Sequence, residues 1–312
     1  MRKVLASTHD RKAVILHIGG GVPGTPVTRC SGSARIAAIA VACALLASPA
    51  RAQQRPLVTE DPETVAAGQV LIETGFDYSR DAVFPVSGLE GHLLRAPLVG
   101  VSIGVSSIAE IQFDGGVRNR LSINRRFAAP LDGQVTATGD TTSSVEDLVV
   151  GTKVRLTSEG VARPGIAVRF ATKLPNASNE SGLGLDTTDF YASMLIAKTV
   201  ESVRIVGNVG VGILGDPTRG DRQNDVLTYG LSFARAISQA GEVVGEINGH
   251  ISTRSGAPPP GTDTRGTLRF GTRYTLGPVR ADAAMLVGLT PRDPGFGVSA
   301  GFTYVFSAFQ VP

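Results

Sequence analysis

Beyond its first fifty or so residues the sequence holds two histidines, His92 and His250. His250 stands at alternate spacing with Glu246 and Asn248, and Ser252 follows two residues later. A serine nucleophile needs a base and an orienting group within hydrogen-bond reach. Here the histidine shares its spacing with a carboxylate and an amide, and no Ser-Asn-Gly constellation adjoins it, so a polar wall position is the favoured reading over a hydrolase. The neighbouring acids Glu146-Asp147 and Asp186/Asp189 could imitate a carboxylate pair, but solvated acids beside loops are the commoner case. No His, Cys or Asp cluster has metal-ligand spacing. The glycine-rich runs at 207–212 and 271–277 lie inside alternating segments with no helix start to receive a phosphate. No cofactor is therefore expected, and no catalytic residue is assigned.

The elements that would position these residues are strands. Leu148, Val150, Thr152, Val154 and Leu156 alternate with Asp147, Val149, Gly151, Lys153 and Arg155. Ile166, Val168, Phe170, Thr172 and Leu174 alternate with Ala167, Arg169, Ala171 and Lys173. A period of two sends successive side chains to opposite faces. Twelve such segments follow one another, at about 69–78, 94–105, 108–117, 148–156, 166–174, 189–199, 203–213, 225–235, 242–252, 266–276, 279–289 and 295–306. Each has the length that a tilted strand needs to cross a bilayer. The connections alternate strictly, long after odd strands and short after even ones. A sandwich gives no reason for that, whereas a barrel in an outer membrane has long outer loops and short periplasmic turns. The expected fold is all-β: a closed antiparallel transmembrane β-barrel of about twelve strands.

In such a barrel the apolar face meets lipid and the charged face meets the lumen. Glu73, Asp77, Asp114, Lys153, Arg155, Arg169, Lys173, Glu246, His250, Arg269, Arg273 and Arg280 are the expected lumen-lining residues. Val168→Arg is then expected to impair assembly and Ala167→Arg to be mild. Phe76, Tyr78, Phe302, Tyr304 and Phe306 are expected near strand ends as interfacial girdles. Bases outnumber acids among the inward residues, which suggests a modest preference for anions.

The N-terminal part reads as targeting sequence. Arg29 and Arg35 precede the apolar run Ile36–Ala47, followed by Ser48-Pro49-Ala50-Arg51-Ala52. That is a signal peptide cleaved near Ala52, with an apolar run too short to span a bilayer as a helix. Residues 1–28 form an unusual preface, and two readings stand: a later translation start, at Val22 or Val27, or a long natural leader. Both cysteines, Cys30 and Cys43, fall in the removed segment, so no disulfide framework is expected. Residues 1–52 carry seven Lys/Arg and one Asp, so their removal turns a net charge of +3 into −3. No basic patch then argues for nucleic acid. Residues 53–68 (QQRPLVTEDPETVAAG) are polar and hold two prolines. They read as a periplasmic lead-in or as a short segment tucked into the barrel mouth, and 69–312 as the barrel.

Pro56-Leu57-Val58-Thr59-Glu60-Asp61-Pro62 leading into 68–75, SSVEDLVVGTKVRL at 143–156, and the segments through Ile213 together resemble the outer-membrane family known as "MetA-pathway of phenol degradation", also called transporter-like. The resemblance covers most of the chain after residue 52 and is strongest between Ser143 and Ile213. It implies an outer-membrane channel or transporter for small solutes, aromatic or hydrophobic ones included. The implied partners are membrane lipid, the solutes and the barrel assembly machinery, with no nucleic acid and no stated oligomeric state. The alternatives are a non-conducting structural or surface-interaction barrel and, behind it, a barrel hydrolase. One departure from the family pattern is the C-terminus, where Ser307–Pro312 run on past the last aromatic strand.

Overall fold

A computed structural model describes residues 55–310; the expected leader and signal peptide lie outside the described residues. The described residues form fourteen strands: β1 (Gln69–Phe84), β2 (Leu89–Gly104), β3 (Ala109–Gly116), β4 (Asn119–Arg126), β5 (Thr141–Ser144), β6 (Val149–Thr157), β7 (Gly165–Lys173), β8 (Asp189–Val200), β9 (Val203–Gly215), β10 (Gln223–Ala236), β11 (Gly241–Ser252), β12 (Arg265–Leu276), β13 (Val279–Gly288) and β14 (Phe296–Ser307). One 3-10 turn, Asp132–Gln134, is the only helical element among the described residues. All pairings are antiparallel, and β1 pairs with both β2 and β14, which closes the sheet. Closure leaves the wall without a free edge except at β5, which pairs only with β4 beyond the long-loop end.

Fourteen strands make twelve staves. β3 and β4 both pair with β2, one after the other, and β5 and β6 pair with β4 and β3 in the same order. The third and fourth staves are therefore each broken in two. The expected twelve segments match the observed staves to within a few residues at most ends. The difference lies at the long-loop end. The stretch expected as the first long loop is largely strand, because β1 and β2 run on to a four-residue turn, and the second holds β4 and β5, which extend the staves beyond the others. Register shifts between Gly75 and Asp77 and between Ser79 and Ala82 break the alternation there. A bulge flips every later side chain to the other face, so a period-two reading ends at it. Pro97 sits within β2 opposite the first of these shifts, where no ladder donor is required of it. Phe76 is mid-strand and not at an end, because β1 runs on to Phe84. Tyr304 and Phe306 do sit at the short-turn end, stacked with ring centroids 5.6 Å apart.

Apolar side chains cover the outside. Phe170, Phe190, Val211, Leu231, Phe270, Met285 and Phe302 are each about half exposed or more. Soluble monomers rarely expose contiguous apolar patches larger than a few hundred Å², whereas this belt is what a lipid-facing wall requires. The apolar core is correspondingly small, with Val65, Leu71 and Val305 packed at the short-turn end. The seam is finished there by Ala308 and Phe309, whose N–H groups donate to the Gly68 carbonyl at 2.9 and 3.2 Å.

One facing test changes with the structure. Ala167 is on the inner face but wholly buried, beside Arg155 and Leu195 in the ladder. An arginine there has no water to reach, so the expected mildness of Ala167→Arg does not hold. Leu227 and Thr228 give the cleaner comparison, since Leu227 is exposed on the belt and Thr228 lines the interior. Leu227→Arg is expected to cost about 2–4 kcal/mol near mid-bilayer, and Thr228→Arg much less. Folding yields in lipid vesicles check this; equal yields would contradict the facing.

Candidate functional site

The interior is organised around residues 55–66. This stretch precedes β1, and it lies inside the barrel against residues of β1, β3, β6, β7 and β9 to β14. Its composition suits that place. Pro56 and Pro62 carry no N–H that would need a partner away from water. Three N–H groups between them are bonded: those of Val58 and Thr59 donate to the Glu246 carboxylate at 2.8–2.9 Å, and that of Glu60 to Asn208. The Asn208 side-chain amide bonds both backbone groups of Glu60, at 2.9 and 2.7 Å.

Each acid of the segment meets a base of the wall. Glu60 accepts from Arg169 Nε at 2.7 Å and Gln112 at 3.1 Å, with Lys153 Nζ at 3.4 Å. Asp61 is held by the guanidinium of Arg204, whose NH2 donates at 2.7 Å. Glu63 pairs with Arg155 at 2.6 Å. Glu110 accepts from the Val65 N–H and pairs with Lys153 at 3.0 Å. At the segment's other end the Arg55 carbonyl accepts from Arg273 at 2.8 Å and Arg280 at 3.3 Å, and the Pro56 carbonyl from Arg269 at 3.1 Å. The Arg55 guanidinium reaches Asp282 at 3.5 Å and lies against Gly75 and Gly301, which pair with each other in the ladder. A Cβ on either glycine would fall 2.5–2.6 Å from that guanidinium, so the close approach requires both.

Of the twelve inward residues expected from the sequence, Glu73, Lys153, Arg155, Arg169, Glu246, Arg269, Arg273 and Arg280 touch this segment or a residue that holds it. Glu73 accepts from the Arg55 N–H at 3.3 Å and from Thr303 at 3.1 Å. The other four stand apart from it. Asp77 faces Arg95 at 3.7 Å, and Asp114 faces Arg169 at 3.8 Å. Lys173 bridges Asp189 at 2.7 Å and Asp147 at 3.4 Å. His250 has its Nε2 2.9 Å from the Asp263 carbonyl, and Ser252 bonds Asn224 instead. Glu60, Asp61, Glu63, Glu110, Gln112, Arg204, Asn208 and Asp282 complete the arrangement and were not among the expected site residues. The signal for the three acids of the segment was present: a TEDPE run, Thr59 to Glu63, that includes Pro62 and stands ahead of a wall with surplus inward bases.

Above this segment, toward the long loops, lies a cavity of about 530 Å³ with Pro56–Glu60 as its floor. Six carboxylates and four arginines line it, with Tyr191, Thr228, Asn248 and His250 among the neutral polar groups. The expected surplus of inward bases is thus taken up by the acids of the segment, and the premise for anion preference goes with it. Inward bases and the inward acids Glu73 and Glu246 alike bond residues 55–66.

The turn between β6 and β7 adds a latch. Glu159 accepts from the Thr199 N–H at 2.7 Å, from Lys198 at 3.3 Å and from Arg204 at 2.8 Å, the same Arg204 that holds Asp61. Partial burial opposes its charge, but these donors outweigh burial and bring its pKa from 4.5 to about 2. Burial likewise opposes ionisation of Glu60, and Arg169 and Lys153 overcome it, holding the carboxyl below the usual range.

No family model matches the chain, and no curated relative matches it. Solved structures do. An outer-membrane channel from Pseudomonas putida F1 superposes with a TM-score of 0.56 at 12% identity, over 79% of this chain and 98% of that one. The NanC porin gives 0.47 at 9% identity, over 75% and 98%, and the Pseudomonas putida toluene transporter TodX 0.37 at 10%, over 77% and 89%. The first of these likenesses establishes a shared fold: the chain is a closed twelve-stave antiparallel β-barrel.

Proposed function

We propose that the protein is an outer-membrane channel for small solutes, closed in its resting state by its own N-terminal segment. The observation that carries this is residues 55–66 held across the lumen by ion pairs and hydrogen bonds, with a polar chamber above them. Transmembrane barrels have polar interiors, some open and some plugged by loops or a helix. Here the contacts are polar, the kind that water can replace, and the segment is tethered to the barrel through Gly68. The apolar belt, the segregation of long loops from short turns and the fold shared with an outer-membrane channel support the location. In this reading the short turns face the periplasm, residues 1–52 are removed near Ala52, and the assembly machinery inserts residues 69–312. The twelve inward ionisable residues line the path once the segment leaves. The family resemblance adds aromatic or hydrophobic compounds as candidate solutes. Single-channel recording of the protein with and without residues 53–66 tests the proposal.

Glu159 carries a pH dependence with a definite sign. Its donors Thr199, Lys198 and Arg204 belong to the barrel and stay when the segment leaves, so the dependence is of barrel stability and not of closure. A depressed pKa means that ionised Glu159 contributes stability above 4.5 and loses it as pH falls toward about 2. This contribution is expected to hold from neutral pH to about 4.5 and to weaken below it. Urea midpoints in vesicles through this range check the window, and its loss already near pH 6 would contradict it.

A further inference from the structure

A second pocket lies at the long-loop end, apart from the plug. Its volume is about 320 Å³, and its wall is apolar except at two places. Ala82, Phe84, Pro85, Val86, Leu183, Leu185 and Pro294 supply the apolar surface, Ser87 and Arg265 the polar groups. The pocket is built by loops that are bonded together. The Val86 carbonyl accepts from the Leu131 N–H at 2.9 Å, and the Ser87 hydroxyl donates to the Gly182 carbonyl at 2.7 Å. Buried Asn224 donates to Thr262 at 3.0 and 3.1 Å, which fixes the loop carrying Gly261. Ser87 is thereby committed, and Arg265 remains.

Arg265 is the one charged side chain in this lining, and its NH1 donates to the Arg292 carbonyl at 2.6 Å. The nearby acids have other partners. Asp293 accepts from the Gly266 N–H at 3.0 Å and from Thr290 at 2.6 and 3.0 Å. Asp263 pairs with Arg292 at 3.5 Å. Among the described residues no carboxylate forms an ion pair with Arg265. An apolar cavity of about 150 Å³ suffices for a benzene ring, so this pocket has room for a larger body. A guanidinium at the edge of an apolar pocket selects a ligand with a carboxylate on a compact hydrophobic body, because its planar fork matches carboxylate geometry.

We propose that this pocket binds small hydrophobic monocarboxylates, of roughly benzoate to naphthoate size, with the carboxylate on Arg265. As the first binding step for a solute arriving at the loops, it rests on the channel reading; as a binding site it does not. The probe is 2-naphthoate, titrated calorimetrically into the full-length protein in lipid discs, with 2-naphthamide as the uncharged counterpart. Saturable binding of the acid is expected, with the amide weaker by about tenfold, the scale of one charge-assisted hydrogen bond. Arg265→Gln should bring the acid down to the amide's affinity, Arg265→Lys should retain part of the difference, and Val86→Trp should abolish both by filling the cavity. Folding of each variant is read independently from its heat-dependent gel mobility. Equal affinity for acid and amide, no effect of the folded Arg265 variants, or absence of saturable binding would each overturn the proposal. Binding without conductance in any form of the protein would instead count against the channel reading alone.

Discussion

Removing residues 53–66 is expected to turn a quiet barrel into one that conducts in discrete steps. The barrel itself should survive the deletion. Its staves are closed by backbone ladders between β1, β2 and β14, in which the segment takes no part. What the deletion leaves behind is a wall of charges that face water once the lumen fills, and hydration replaces the lost ion pairs at small cost when the site is wet. A milder version keeps the segment and removes its charges: Glu60→Gln, Asp61→Asn and Glu63→Gln together free Arg169, Arg204 and Arg155. The triple variant is expected to flicker open, and its open current should resemble that of the deletion. If the deletion folds and stays silent, the lumen is blocked by something else.

The largest effect on stability is expected at Lys153. Its side chain is wholly buried, with Glu110 at 3.0 Å, Glu60 at 3.4 Å and the Asp61 carbonyl at 3.0 Å. Lys153→Met leaves two carboxylates buried without their cation. Breaking a buried pair in this way costs about 3–5 kcal/mol. Adding Glu110→Gln should recover part of the loss, because the remaining acid keeps Arg169. Urea midpoints of the single and double variants in vesicles measure it. An additive pair of changes would mean that Lys153 and Glu110 do not act together.

The barrel was legible in the sequence because lipid on one side and water on the other impose a strict period of two. That constraint ends where the membrane ends. In β4 (NRLSINRR) buried Leu121 and half-buried Ile123 alternate with exposed Arg120, Ser122 and Asn124, but Arg125 and Arg126 are exposed too, so only two apolar positions mark the strand and it reads as loop. The site was half legible. Inward bases such as Arg169 and Arg273 follow from alternation alone. Their partners do not, because Glu60, Asp61 and Glu63 sit in a segment with no periodicity, whose place is set by contacts more than ninety residues away in the chain. Glu110 shows the same limit: it opens β3 on the inner face, but its role depends on Lys153 and on the Val65 N–H together.

The central claim is that residues 55–66 block the path, and a tether across the lumen tests it most directly. A Cβ on Gly230 would lie 3.5 Å from that of Thr59, within the usual separation of about 3.5–4.5 Å for a disulfide. With both native cysteines at positions 30 and 43, ahead of the expected cleavage site, the Thr59→Cys/Gly230→Cys variant should form one internal bond. In a background of Glu60→Gln, Asp61→Asn and Glu63→Gln, where the segment loses its ion pairs, the reduced variant is expected to conduct and the oxidised one to remain silent, with conduction restored by reductant. Equal conductance in the two states would show that solutes and ions pass without the segment moving, and would contradict the account.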